Sequence, residues 1–318
     1  PARFEAYLAL GDYQRSVRED LARAIDAYSS SLRLATSAAG LRGMASTEHS
    51  LGRWDSALEH ARQAQALDPR AAFAIRQRAI TLVWLGRYTE AQAVLDQGLA
   101  LDSTHLSLVL WKTIVLLGQG DLAGARAFLR TVPKEVDPTV LAAYLGRYSD
   151  LFWVLDEEHQ SLLLRLTPGP FNDDRAIWGL TLAATHHLRG DTVRAHAYAD
   201  SARLAFEALV EASPDNAQLR SLLGTALAYL GRPADAVREG ERAVALTPIS
   251  RDAHTGPYLQ HQLVRIYILV GEYEKALDRL EPLLRIPYYL SPAWLRIDPT
   301  FDPIREQPRF KRLVAVGG

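Results

Sequence analysis

A repeated segment decides the fold: LGRWDSAL at 51–58 returns as LGRYTEAQ at 85–92. The glycines of the two copies are Gly52 and Gly86, and Gly120 continues the same spacing. An alanine stands five residues after each of these glycines. The Gly-x-x-x-x-Ala pairing recurs at Gly190 and Ala195, Gly231 and Ala236, and Gly271 and Ala276. A fixed period of this length indicates an array of similar structural units.

Each position in the period has a physical reason. Glycine ends a first helix, because the left-handed conformation at a helix end costs it no Cβ clash. The alanine lets two helix backbones approach where they cross. A proline such as Pro69 or Pro248 closes the second helix, since it cannot continue the helix. The aromatic residue two positions after a glycine, at Trp54, Tyr88 and Tyr273, fills the space between the helices. The sequence therefore predicts helix-turn-helix units throughout.

This period and its marked positions resemble the tetratricopeptide repeat. A seventh alanine, Ala24, extends the pattern to the start of the chain, with Glu19 in the place of the glycine. The resemblance implies an all-α, right-handed superhelical solenoid over 1–287 and a capping segment rich in proline and aromatic residues over 288–318. The predicted units are about 4–36, 38–70, 72–104, 106–136, a degenerate 137–168, 176–214, 217–250 and 257–287.

Departures from the regular spacing lead to specific predictions. Gly231 follows Gly190 by seven positions more than the regular period, and the intervening sequence has no helix breaker. We therefore predict a second helix that is two turns longer than usual and runs past Leu204 to about Glu211. The longer spacings elsewhere are assigned to loops at 167–174 and 248–257.

The second LGRY, at 145–148, falls out of phase. Its glycine, Gly146, follows Gly120 by less than one full period, and the residue five positions later is Leu151 in place of alanine. We interpret this copy as a coincidence. The sequence predicts one apolar helix over 139–155, begun by Asp137 and Pro138, with Gly146 in its interior.

The tail at 286–314 contains five prolines and breaks the repeat. Solenoids need their last core face covered, so we expect the tail aromatic residues to pack on the last unit; an aromatic ligand patch is the alternative. The residues concerned are Tyr288, Tyr289, Trp294, Phe301 and Phe310.

The tail and the opening stretch also resemble one type of protein. The motifs Leu295–Pro299, Phe301–Arg305 and Pro308–Phe310, together with the opening stretch 19–35, are similar to tetratricopeptide regions of multidomain bacterial signalling proteins. In those proteins the region follows a TolB-like segment, often with a Ser/Thr kinase or a winged-helix regulator upstream. The resemblance implies a sensory or docking segment.

Composition excludes several classes of function. The formal net charge is −1, so the cationic excess that double-stranded nucleic acid requires is absent. There is no cysteine, which excludes disulfides and thiolate sites. No apolar run reaches the roughly 18 residues of a membrane helix, so we expect no membrane insertion.

Abundant Arg with only four Lys indicates a bacterial source. A start at Pro1 predicts an excised piece of a longer protein, from either side of a membrane.

Two stretches superficially resemble catalytic motifs. GQGDLAG at 118–124 has the glycines of a phosphate-binding loop, but such a loop must follow a strand and open a helix, whereas these glycines are expected to end one. The cluster Asp102–His105 contains all three residue types of a catalytic triad. Adjacent residues cannot converge as nucleophile, base and orienting group, so we expect Ser103 or Thr104 to cap the next helix. The sequence predicts no enzyme and no cofactor.

The histidines at His186, His187 and His196 do not form a metal-ligand pattern, since no carboxylate completes a set on one helix. We expect His186 in the core and His187 facing the groove. The acidic pairs at 157–158 and 173–174 are expected in first helical turns, where they complement the helix dipole.

The resemblance implies which positions would contact a partner. In tetratricopeptide repeats, positions 2, 5, 9 and 12 of each unit line a concave groove. Transferred to this sequence, they include thirteen candidate groove residues: Arg42, Ser46, His49, Phe73, Arg76, Ile80, Leu110, Ile114, His187, Thr225, Tyr258, His261 and Arg265.

Arg42 and Arg76 are separated by one full period, so we expect them to stack along one wall. Guanidinium groups suit carboxylates because they donate in a bidentate fashion; pairing with acidic residues of neighbouring helices is the alternative. The family's clamp for C-terminal carboxylates has Lys at position 5 and Asn at position 9. This chain has Arg42 with Ser46 and Arg76 with Ile80, so that clamp is not expected.

The sequence thus predicts a non-catalytic scaffold that binds an extended segment of a protein or peptide in its groove. Two alternatives remain. One is a self-association module that forms a homodimer, and the other is a small-molecule sensor with an apolar pocket near Trp84, Trp111 and Trp178.

Overall fold

The computed structural model describes the backbone of residues 2–315 and the side chains of residues 3–315. Within this range the chain is all-α, with eighteen α-helices, three short 3₁₀ segments and no β-strand. The helices are α1 (Ala2–Ser16), α2 (Leu21–Leu34), α3 (Ala38–Ser50), α4 (Trp54–Leu67), α5 (Ala72–Trp84), α6 (Tyr88–Leu101), α7 (Leu106–Gly118), α8 (Leu122–Arg130), α9 (Pro138–Gly146), α10 (Glu157–Leu163), α11 (Arg175–Leu188), α12 (Thr192–Ala212), α13 (Ala217–Tyr229), α14 (Pro233–Leu246), α15 (Thr255–Leu269), α16 (Tyr273–Leu283), α17 (Pro292–Ile297) and α18 (Pro308–Ala315). The 3₁₀ segments are Phe152–Val154, Gly169–Phe171 and Pro299–Ile304.

The turns between paired helices confirm the role of the periodic glycines. All six have a positive φ, between 68° and 83°, which is the left-handed region that glycine enters without a Cβ clash. The seven alanines of the pattern, Ala24 among them, are fully buried. The predicted all-α helix-turn-helix fold is therefore confirmed, and its local cause is the alternation of a turn glycine and a small crossing residue.

The described chain forms two compact units, each of which also takes in later segments of the sequence. Unit 1 consists of residues 2–115 together with Ile249–Thr255 and Pro287–Tyr289. Unit 2 consists of Leu116–Pro248, Gly256–Ile286 and residues 290–315. The chain thus returns to unit 1 twice after it has entered unit 2.

In unit 1 successive helices pack against one another from α1 to α6. Tyr28 of α2 is fully buried, and its hydroxyl donates to Asp12 Oδ1 at 2.7 Å. Its ring fits because two neighbours lack side chains. A Cβ at Gly11 or Gly43 would lie 2.6 or 2.3 Å from the ring.

In unit 2 the longest helix is α12, which ends at Ala212 and confirms the predicted two-turn extension. Phe206 on its inner side is buried, while Leu204 on the opposite side is exposed. The helix continues because no Gly or Pro interrupts it before Ser213, whose backbone N–H closes the last turn on Leu209 O.

The degenerate fifth unit differs from expectation. A single helix over 139–155 is wrong, because α9 ends at Gly146 and the 3₁₀ segment follows six residues later. The start is as predicted, with Asp137 accepting from the N–H of Thr139. A straight helix would distribute the apolar run 151–155 around its circumference, whereas the bent chain buries all five of its residues.

Gly146 permits this bend by close packing and not by a left-handed turn. A Cβ there would lie 3.0 Å from Thr181 Cγ2 and 3.1 Å from Leu163 Cδ1. Thr181 Oγ1 also donates to the Gly146 carbonyl oxygen at 3.1 Å. Arg126 donates to the carbonyl oxygens of Trp153 and Val154, which satisfies the backbone of the 3₁₀ segment.

The tail packs on the last helix pair only in part. In α18, Arg309 forms ion pairs with three carboxylates of α16, those of Glu274, Asp278 and Glu281. Tyr288 and Tyr289 were expected on the same face, and that expectation is wrong, since both contact Trp84 in unit 1. Across the residues that the structure describes, no helix has the length and apolar character needed to cross a membrane.

Candidate functional site

Seven of the thirteen candidate groove residues are buried by other parts of the chain. They are His49, Ile80, Leu110, Ile114, Thr225, His261 and Arg265. Four others are partly exposed: Arg42, Ser46, Arg76 and Tyr258. Phe73 and His187 are exposed. The accessible candidates therefore lie mainly in unit 1.

In unit 1 the groove positions are covered by a loop from much later in the sequence. We call Ile249–Thr255 the covering loop. Its His254 stacks on Trp84 of α5, with ring centres 4.9 Å apart, and lies beside His49 of α3 at 5.0 Å. Tyr288 and Tyr289 complete the cover, with ring centres 5.6 and 5.4 Å from that of Trp84.

The pKa values of His49 and His254 are both lowered in this contact. His49 Nδ1 lies 3.2 Å from His254 Nδ1. Burial lowers the pKa of His49 well below its usual value, and the neighbouring His254 lowers it further. Burial likewise lowers the pKa of His254, with Arg76 adding to the decrease and Asp252 opposing it. A neutral pair can share one N–H between the two nitrogens.

In unit 2 the corresponding cover is ionic. Arg265 of α15 donates to Asp298 Oδ2 at 3.0 Å and to the Ser149 carbonyl oxygen at 2.7 Å. Trp294 Nε1 donates to the same carboxylate oxygen at 3.2 Å. Arg265 is 3% exposed and Asp298 is fully buried. A predicted partner-binding cation is thus neutralised by a carboxylate of the protein's own tail.

The neighbouring His261 also lies under the tail. Its ring is parallel to that of Phe301, at 6.4 Å between centres. Burial lowers the pKa of His261 well below its usual value, and Arg265 adds to the decrease. Burial raises the pKa of Tyr258. His261 and Arg265 therefore lie in an interior and not in an open groove.

Three candidates in unit 1 remain accessible together: Arg42, Phe73 and Arg76, which we call the arginine–phenylalanine patch. The guanidinium carbons of Arg42 and Arg76 lie 5.2 and 4.8 Å from the centre of the Phe73 ring. Both lie within cation–π range of one ring. The two arginines thus contact one phenylalanine ring, a contact that the sequence prediction did not include.

The charges of this patch have no internal partner. Within residues 3–315 neither guanidinium forms an ion pair, and the nearest polar contact is Arg76 Nη1 to Ser107 Oγ at 3.5 Å. Arg76 Nε is buried without a hydrogen-bond partner. Pairing with neighbouring acidic residues, the alternative expected from sequence, is thus not seen. A buried donor without an acceptor carries a desolvation cost that an anionic ligand could remove.

The polar clusters that superficially resembled catalytic or metal sites have structural roles. Asp102, and not Ser103 or Thr104, makes the turn before α7, since its Oδ1 accepts from the N–H and hydroxyl of Thr104. Asp174 caps α11. Glu157 and Glu158 lie in the first turn of α10, as predicted.

The other histidines lie apart from any ligand set. His186 is buried and His187 is exposed beside Tyr229, with ring centres 5.1 Å apart. Over the described part of the chain, no three His, Asp or Glu side chains are placed to hold a metal ion.

Comparison with known proteins identifies the repeat. Two family models for the tetratricopeptide repeat match this sequence, at residues 82–145 and at residues 188–250. No curated protein is significantly similar to the chain.

Several solved structures are similar at low identity. A thermophilic tetratricopeptide-repeat protein from Thermus thermophilus is 19% identical, with a TM-score of 0.43, over 70% of this chain and 98% of that one. PilW, a type IV pilus biogenesis factor, is 20% identical, with a TM-score of 0.43, over 78% and 95%. A tetratricopeptide-repeat protein from Parabacteroides merdae is 14% identical, with a TM-score of 0.39, over 90% and 93%. From its own helix pairs and from the two matched repeats, the chain has the helix-turn-helix fold of tetratricopeptide repeats.

Proposed function

We propose that this protein is a non-catalytic scaffold that binds an extended, acidic segment of a partner protein at the arginine–phenylalanine patch. The observation that carries the proposal is the pair of guanidinium groups on one exposed phenylalanine ring, neither of which forms an ion pair within residues 3–315. Arginine prefers carboxylates, to which it donates bidentate hydrogen bonds. The exposed Phe73 ring offers an apolar contact beside both charges.

The geometry favours a particular spacing of carboxylates. Both guanidinium carbons lie within 5.2 Å of the Phe73 ring centre, so they are at most about 10 Å apart. An extended chain advances about 3.3 Å per residue. Side chains of an extended chain alternate between two faces, so carboxylates two residues apart lie on one face, about 7 Å from each other, and could reach both arginines at the same time.

Of the two alternatives, the small-molecule sensor has little support. The rings of Trp84 and Trp111 pack against each other at 5.6 Å, and the covering loop and tail tyrosines occupy the remaining space around Trp84. Trp178 donates to the Leu166 carbonyl oxygen in unit 2. A homodimer stays a prediction, as do the attachment to a bacterial signalling protein and the division at residue 287.

Fluorescence anisotropy with a labelled peptide tests the proposal. The probe is an eight-residue segment that carries Glu at two positions two residues apart, and its matched control has Gln at both. We expect the Glu peptide to bind, the Gln peptide to bind at least tenfold more weakly, and the Arg42→Glu, Arg76→Glu double variant to lose the difference. Each charge-assisted hydrogen bond contributes about 1.5–3 kcal/mol, so the loss of one lowers the affinity more than tenfold.

The control variant Arg33→Glu, Arg62→Glu changes the net charge equally at two exposed arginines of unit 1. It should keep most of the affinity. Equal binding of the Glu and Gln peptides, or unchanged binding by the double variant of the patch, would overturn the proposal.

A further inference from the structure

The covering loop is held in unit 1 by a small number of contacts. The N–H of Ala253 donates to the Ser50 carbonyl oxygen at 2.8 Å. Its methyl group lies 3.2 Å from the position that a Cβ of Gly52 would take. Arg251 forms an ion pair with Glu19 in the turn between α1 and α2. These contacts, which include a backbone hydrogen bond and an exposed ion pair, join the loop to helices that are distant from it in sequence.

The inner contact of this loop is the histidine pair. In the 3.2 Å contact between the two Nδ1 atoms, one nitrogen must donate and the other must accept. A doubly protonated pair would place two N–H groups against each other. His49 Nε2 is buried without a hydrogen-bond partner, so a proton added there would have no acceptor in the closed loop.

The charged groups around the pair do not compensate a positive charge on His49. Asp252 is the carboxylate beside His254, and its Oδ1 already accepts from the backbone N–H groups of His254 and Thr255. Arg76 of α5 adds a positive charge on the same side. The rings of Trp54 and Trp84 also lie against His49, and that of Trp84 against His254; neither ring carries a charge.

We propose that His49 and His254 form a proton-operated latch, whose protonation releases the covering loop and opens the groove of unit 1 beside the arginine–phenylalanine patch. Only the use of the opened groove by a partner rests on the proposed function; the release of the loop does not. Opening exposes His49 and Trp84, next to Arg76, so a partner segment gains apolar rings in addition to the two arginines.

The direction of the pH dependence follows from linkage. The closed loop lowers the pKa values of both histidines, whereas in the open loop we expect them to titrate near the ordinary value of about 6.5. The closed state is therefore fully favoured above about pH 6.5 and loses stability as the pH falls. The open population rises by up to about tenfold per pH unit for each histidine that only the open state can protonate.

Amide hydrogen exchange on the whole chain, without any peptide, tests the latch. The reporter is the N–H of Ala253, and the internal control is the N–H of Arg87, which donates to the Leu82 carbonyl oxygen at 2.8 Å in the turn between α5 and α6. After correction for the intrinsic exchange rate, protection of Ala253 should fall at least tenfold between pH 7 and pH 5.5. Protection of Arg87 should stay within twofold.

The variant His254→Phe keeps a ring for stacking on Trp84 and cannot be protonated. Protection of Ala253 should change less steeply with pH in this variant than in the unaltered chain, because only His49 is left to take up a proton when the loop opens. A second measurement, an NMR titration of the imidazoles in the unaltered chain, applies even if this variant leaves the loop open. Both histidines should protonate in the pH interval in which protection is lost.

Three results would overturn the latch: constant protection of Ala253 in the unaltered chain, protonation of both histidines with the loop still protected, or an equally steep decrease in His254→Phe when its loop is closed at pH 7. Peptide anisotropy at the same pH values separates the two proposals. If the loop opens but the acidic peptide does not bind, the proposed function fails and the latch remains.

Discussion

The two units cover their inner helix faces with the protein's own chain, but they use different chemistry. In unit 1 the contacts are neutral rings, centred on Trp84, His49 and His254. In unit 2 they are charged, centred on Arg265 and Asp298. A neutral histidine pair is weakened by mild acid, whereas a guanidinium remains protonated at all physiological pH values. We therefore expect the cover of unit 1 to open when the pH falls, and the cover of unit 2 to stay closed.

The ionic contact in unit 2 is also part of a larger hydrogen-bond network. Arg265 binds the carboxylate of the tail and also the Ser149 carbonyl oxygen, which belongs to the bent fifth unit. The carboxylate of Asp298 additionally accepts from Trp294 and from the N–H of Thr300. Loss of one partner would leave several buried polar groups unsatisfied.

The largest expected effect is therefore in unit 2. Asp298→Asn keeps the size of the side chain but removes the carboxylate charge that pairs with the buried guanidinium of Arg265. Breaking a buried ion pair from one side costs about 3–5 kcal/mol. We expect a decrease of that size in the free energy of unfolding, measured by urea denaturation and followed by Trp fluorescence.

The control is Asp302→Asn, which removes an exposed carboxylate that pairs with Arg305. Exposed pairs contribute at most about 1 kcal/mol. If both variants lose the same small amount, the buried pair does not fix the tail, and the contrast between the two units is wrong.

The sequence predicted the parts of the fold that depend on neighbours in the chain. Turn glycines, crossing alanines and the long α12 all follow from residues within one or two helices of one another. The fifth unit was partly mispredicted, because the role of Gly146 depends on Thr181, 35 residues later. Its apolar sequence alone does not distinguish a helix from a buried bend.

The candidate site was less predictable for the same reason. Groove positions could be assigned from the repeat, but their burial depends on segments 205 residues away, as for His49 and His254. Asp298 gave no sign of being the partner of Arg265, since no periodic pattern connects the two. In the structure, two alanines of the covering segments, Ala253 and Ala293, lie against the turn glycines Gly52 and Gly120.

Those two contacts allow a matched test of both covers. A Cβ at Gly52 would lie 3.2 Å from the Ala253 methyl group, whereas a Cβ at Gly86 would meet nothing within 4 Å. Alanine at either position should cost about 1–2 kcal/mol, since φ is 71° and 68°. We expect Gly52→Ala also to lower the hydrogen-exchange protection of the Ala253 amide severalfold, and Gly86→Ala not to change it.

Unit 2 offers the same pair. Gly120 has Ala293 of the tail at 3.2 Å, and Gly190 has nothing within 4 Å. The variants Gly120→Ala and Gly190→Ala should lower the free energy of unfolding by similar amounts, because both place alanine in the left-handed region, with φ values of 81° and 77°. Because the ionic network also holds the tail, Gly120→Ala should lower the hydrogen-exchange protection of the tail amides by a smaller factor than Gly52→Ala lowers that of the Ala253 amide. A larger effect in unit 2 would reverse the proposed order of stability of the two covers.

The smallest expected effect is at Glu19, the one position of the pattern where a turn glycine is replaced. Its φ of 53° places a side chain in the left-handed region, at a cost of about 1 kcal/mol. Its carboxylate pairs with Arg251 of the covering loop, and both side chains are mostly exposed, so this pair contributes less than about 1 kcal/mol.

Glu19→Gly should therefore raise the free energy of unfolding slightly while it lowers the hydrogen-exchange protection of the Ala253 amide. Glu19→Gln keeps the strain and removes the charge, so it should lower protection without the gain in stability. If glycine and glutamine change stability equally, the turn stores no strain; if neither changes protection, the ion pair does not hold the loop, and the histidine pair alone must do so.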